Sequence, residues 1–129
     1  LKNLILLLFL LSNISCAHNN PIFDNKEILG PWVMYSVSKA GASTPLYNNG
    51  PIISFFQNGT GYINAHIAVS GTFHWTLQKG NMKIRYDKAD TSCAFQDSSY
   101  SVDFIKMDGG RKLTLEHGDK ICYLIGSTQ

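Results

Sequence analysis

Past its first eleven residues the chain has no stretch in which apolar residues recur at helical spacing, which removes helical bundles and doubly wound folds. It has no run of lysine and arginine, and a formal net charge of +2 with both signs scattered encodes no nucleic-acid footprint. The four histidines show neither His-x-His nor His-Glu-x-x-His spacing, so no metal site is expected. Phosphate loops and dinucleotide fingerprints are missing too, and no cofactor follows from any motif. Asp87, Asp90, Asp97, Asp103, Asp108, Glu116 and Asp119 fall mostly on turns and outward strand positions, where they serve solubility. No nucleophile and base are set up together, so no catalytic residue is assigned and an enzyme is not expected.

What is there is β grammar. From Gly71 to Asp87 the chain reads as one hairpin, with Phe73, Trp75 and Leu77 alternating with His74, Thr76 and Gln78. Met82, Ile84 and Tyr86 alternate with Lys83 and Arg85 after a turn at Gly80–Asn81. A two-residue loop there predicts Trp75 opposite Tyr86 and Leu77 opposite Ile84.

The same rhythm runs along the chain. Strand one is expected at Trp32 to Ser38, strand two at Ile52 to Gln57 with an Asn58–Gly59 turn, and strand three at Tyr62 to Val69. After the central hairpin come Tyr100 to Met107, an Asp108–Gly109 turn, Lys112 to His117, and Ile121 to Ile125. The Asp108–Gly109 loop predicts Phe104 opposite Leu113 and Val102 opposite Leu115. His66 and His74 are expected as a solvated pair on the outer face of the third hairpin. Residues 39–50 and 88–98 read as long loops.

Eight strands joined in order by hairpins predict an all-β fold, an antiparallel up-and-down eight-stranded barrel whose closure removes both edges. Three tight turns then share one end and the two long loops share the other. Trp32 enters at the pinched end and plugs the barrel base.

The N-terminus stands apart. Lys2 followed by the apolar run Leu4 to Leu11 is too short for a bilayer span of roughly 20 residues and has the length of a secretory signal core. Ser15 and Cys16 behind it resemble the lipobox of bacterial lipoproteins, which implies lipidation at Cys16 and, with Ala17 following, outer-membrane sorting. Ordinary cleavage after Ala17 is the alternative, and either route means export to the periplasm or beyond. The expected layout is a signal peptide over 1–15, a lipidated or flexible tether over 16–27, and one domain over 28–129.

Either cut leaves Cys93 and Cys122 in a compartment where disulfides persist, so a Cys93–Cys122 bridge is expected. It would close a loop of about 28 residues, worth on the order of 3 kcal/mol in the chain-entropy view. In the last hairpin a two-residue Gly118–Asp119 loop would face Cys122 and Leu124 inward, whereas a three-residue loop would turn Ile121, Tyr123 and Ile125 inward. The second is preferred because it leaves Cys122 outside, where a loop cysteine can reach it.

Leu29, Gly30, Pro31 and Trp32 resemble the Gly-x-Trp signature that opens the first strand of lipocalins, followed by a long first loop. Residues 28–127 are similar to short lipocalin-like domains of bacterial lipoproteins, with Ser54 to Tyr62 and Gly71 to Trp75 as matching features. The family's arginine after the last strand, its Thr-Asp-Tyr motif and its C-terminal helix have no counterpart here. The resemblance implies a non-enzymatic binding module for a small apolar or amphipathic molecule. Its wall would be Phe73, Trp75, Tyr86, Tyr100 and Tyr123. The other reading is a solid barrel that binds or inhibits a protein partner through its long loops, with Tyr47 and Phe95 as contacts. In both, a membrane is touched only through the lipid at Cys16.

Overall fold

The computed structural model describes residues 25–46, 50–65, 68–87 and 97–127. A 3-10 helix (Asn25–Ile28) precedes nine strands: β1 (Gly30–Lys39), β2 (Ala42–Pro45), β3 (Ile52–Phe55), β4 (Thr60–Ala65), β5 (Ala68–Gln78), β6 (Asn81–Tyr86), β7 (Ser98–Met107), β8 (Gly110–His117) and β9 (Lys120–Gly126). From β3 to β9 each strand pairs antiparallel with the next. β1 pairs with both β3 and β9, which closes an eight-stranded barrel. The Asn25–Ile28 helix begins inside the segment expected to be tether.

β2 was not expected. β1 outruns the start of β3, and the backbone groups from Ser36 to Lys39 need partners on that side. The chain turns back through Ala40 (φ 52°) and Gly41 (φ 83°), and pairs Lys39 with Ala42 and Ser36 with Pro45. Ala-Gly is a weak written signal for a turn that needs φ > 0 at both positions. β1 changes partner at Met34 to Ser36, where its register with β9 also shifts. There the Met34 amide donates to Pro51 O (2.9 Å) and the Leu46 amide to Tyr35 O (2.8 Å). A Cβ on Gly50 would lie 1.7 Å from Met34 O, so only glycine permits this close passage.

Two other hairpins depart from expectation. The β5–β6 turn is Lys79–Gly80, both at positive φ (49° and 73°), which aligns Trp75 with Ile84, Phe73 with Tyr86 and Leu77 with Met82. The expected pairs are displaced by two residues, and because a strand alternates with period two, every side chain keeps its face. At the β8–β9 turn the loop is the two residues Gly118–Asp119, pairing His117 with Lys120. Gly118 takes φ 59° at the first central position, where a II′ turn wants glycine. Cys122 and Leu124 therefore point inward and Tyr123 outward, the reverse of the three-residue loop. β4 ends at Ala65 and β5 begins at Ala68, so β5 starts earlier than expected. His66 lies outside the described residues, and His74 sits opposite Thr60.

The β7–β8 hairpin has the expected register, with Phe104 on Leu113 and Val102 on Leu115. Alternation fills the interior with Trp32, Met34, Ile53, Phe55, Ile63, Phe73, Trp75, Met82, Leu113, Leu115 and Leu124, all buried. Gly61, on β4 between Phe55 and Phe73, leaves the space that the Phe73 ring occupies. A Cβ there would meet Phe73 Cζ at 2.2 Å.

Candidate functional site

The base is built around Trp32, as expected. Its indole Nε1–H donates to Ile28 O (2.7 Å), which ties the 3-10 helix across the end of the barrel. Arg111, at the start of β8, lies flat on the ring, its guanidinium carbon 4.2 Å from the centroid. It donates through Nη1 to Glu27 O (2.7 Å) and through Nη2 to Leu29 O (2.8 Å). The cation sought after the last strand thus comes from the strand before it. Burial lowers the Arg111 pKa, and its Nε is a buried donor without an acceptor. Gly126 makes room, since a Cβ there would lie 2.9 Å from Arg111 Nε and 3.2 Å from the Trp32 ring.

Of the residues expected to line a cup, Phe73 and Trp75 face inward but are already engaged. Phe73 packs edge-on against Phe55 and Tyr86, both at 5.6 Å, and Trp75 against Phe55 at 5.3 Å. The Trp75 Nε1–H donates to Thr60 O (2.9 Å). Tyr100 is 3% exposed, and Tyr86 is half-buried on the core's flank. Tyr123 does not belong to this wall. It stands on the outside beside Tyr35 (centroids 6.2 Å apart), with Lys112 Nζ 5.4 Å from its ring.

A side chain lining a cavity that admits water shows surface to it. Met34, Phe55, Ile63, Met82, Leu113, Leu115, Cys122 and Leu124 show 0–1%. A hollow of about 480 Å³ does occur at the base end, lined by Lys26, Leu29, Gln57, Gln78 and the inward-facing Trp75 and Leu77.

At the flap end, Ser98 Oγ lies 2.9 Å from His117 Nδ1, and that nitrogen is also 3.0 Å from Ser99 O. The Tyr100 ring packs at 5.7 Å from the imidazole. Asp97 accepts the Tyr86 amide through Oδ1 (2.7 Å). Among the described residues the hydrogen-bond partners of His117 are Ser98 and Ser99, and no acid is seen to orient it as a nucleophilic serine's base requires. Nearby on the outer wall, Asp87 accepts from the Thr72 hydroxyl (2.5 Å) and meets His74 Nε2 at 2.9 Å. The Thr72 hydrogen bond, which outweighs the opposing effect of desolvation, together with His74 holds the Asp87 carboxyl below the ordinary carboxylate value. No group of three His, Cys, Asp or Glu side chains suited to a metal occurs among the described residues.

The expected disulfide is not formed. Cys122 is a free thiol at 0% exposure, its pKa raised chiefly by burial. The two-residue turn put it on the core face of β9. Cys93, Cys16, Tyr47 and Phe95 lie outside the described residues. The Ser98–His117 contact escaped sequence reading because the two are joined only through the β7–β8 register. The Arg111 cap is marked in sequence by a lone inward cation between Gly110 and Lys112.

Compared with known protein families, curated proteins and solved structures, the chain matches none.

Proposed function

We propose that this chain is an exported, non-enzymatic binding protein built on a solid lipocalin-like barrel, acting on a protein partner through the loops at its flap end. One observation carries the reading: the core residues of the described interior are all buried, at 0–9% exposure, and Phe73 and Trp75 of the expected cup wall are packed against aromatic neighbours. The lipocalin kinship is supported by the Gly-x-Trp start and by Arg111 holding Trp32 to the 3-10 helix. Export and lipidation at Cys16 rest on the N-terminal pattern.

A cup is favoured by a single feature. Tyr86, Tyr100, Ser98 and His117 form an amphipathic set near the flap end. Titration of the protein with a fluorescent fatty acid, read through tryptophan energy transfer, separates the two. The solid barrel gives a weak, non-saturating signal, and saturable one-to-one binding would overturn it.

A further inference from the structure

Five large apolar side chains are exposed among the described residues, at 39–47%, and all lie in the base half of the barrel. Phe56 is at the β3–β4 turn, Ile105 and Met107 end β7, Ile125 ends β9, and Tyr62 is at the level of Ser54 and Pro31. Register puts Ile105, Lys112, Ile125 and Val33 in one row across four strands. Single exposed apolar residues are ordinary, but five such residues on the base half of the described barrel make a grouped apolar surface.

Charge divides the same way. Lys26, Lys79, Lys106 and Lys112 surround the base with Glu27 and Asp108. The flap end carries Asp87, Asp97, Glu116 and Asp119 against Lys39, Arg85 and Lys120. The chain also enters the fold at the base, at Asn25. From Cys16 to there it can reach at most about 30 Å, so the apolar run and its cysteine tether this same end.

We propose that the base of the barrel docks on an anionic lipid surface, with the flap end directed away from it. Lysine is depleted at protein interfaces, whereas lysines whose alkyl stems lie among exposed apolar side chains suit a headgroup boundary. Among the described residues the base named above is net +2 and the far end net −1, so the charge difference favours the base facing an anionic surface. The attachment is independent of the partner reading and leaves the flap loops facing outward.

The test uses the full chain carrying a fluorophore at Gln57→Cys on the base or at Ser43→Cys on β2, with nitroxide-labelled vesicles. On vesicles with roughly 30% phosphatidylglycerol, binding should be about tenfold tighter than on phosphatidylcholine alone and should weaken with salt. The base label should be quenched and the β2 label should not. Joint Lys79→Glu and Lys106→Glu substitution should remove that difference, and joint Lys39→Glu and Lys120→Glu should not. Equal quenching of both labels, or binding indifferent to lipid charge, would mean that the apolar N-terminal run alone attaches the protein, and would overturn the proposal.

Discussion

Arg111 has two carbonyls and an indole face to satisfy, and no other side chain has its shape. Lysine lacks the planar fork that reaches Glu27 O and Leu29 O together while lying on Trp32. Arg111→Met should cost about 2–4 kcal/mol, read as a lower urea midpoint, because it unties the 3-10 helix from the base. Retention of wild-type stability would show the cap to be incidental. Gly61→Ala should cost roughly 1–3 kcal/mol, since the added methyl meets the Phe73 ring and Ser54 O together.

Asp87 gives a pH dependence whose sign is settled by the direction of its shift. Its folded pKa is held down by Thr72 and then His74, so its stabilising effect is present above the unfolded value and is lost as pH falls through the folded one. Stability should therefore decline below pH 3.8. Asp87→Asn should flatten that acid limb in a series of urea midpoints, and an unchanged limb would count against the Thr72 contact. Cys122 makes a different forecast. Alkylation followed by peptide mapping should modify it only after denaturation, because burial keeps it a protonated thiol out of reach. Recovery of a Cys93–Cys122 peptide from unreduced protein would contradict this.

Hairpins show where the sequence was legible and where it was not. Strict alternation from Phe73 to Leu77 and from Met82 to Tyr86 assigned each side chain to its face, and the eight barrel strands and their closing order follow from it. Turn centres were harder to read. Gly80–Asn81 and Lys79–Gly80 are both written in the chain, and only the backbone angles decide between them. For the β5–β6 hairpin the error cost two residues of register and no faces. For β8–β9 the error was a single residue, so it reversed Cys122 and Tyr123 and removed both a disulfide and a wall residue. β2 was hidden behind Ala40, a residue that seldom takes positive φ. Lys79 shares that strain. Lys79→Asn, which suits a I′ turn, should stabilise the protein by about 0.5–1 kcal/mol in thermal melts. A loss of stability would argue that the turn is of another type.

At the scale of the whole molecule, one end is tied shut by Trp32 and Arg111, the middle is filled by an aromatic ladder, and the loops gather at the other end. Tight packing of the described interior is the physical reason for placing function on the surface. Native mass spectrometry of the full chain, purified without detergent and compared with its denatured mass, tests this most directly. The account predicts the same mass in both conditions once any covalent lipid is counted in each. A small molecule that travels with the folded protein and is lost on denaturation would contradict it, and would place the function inside the barrel.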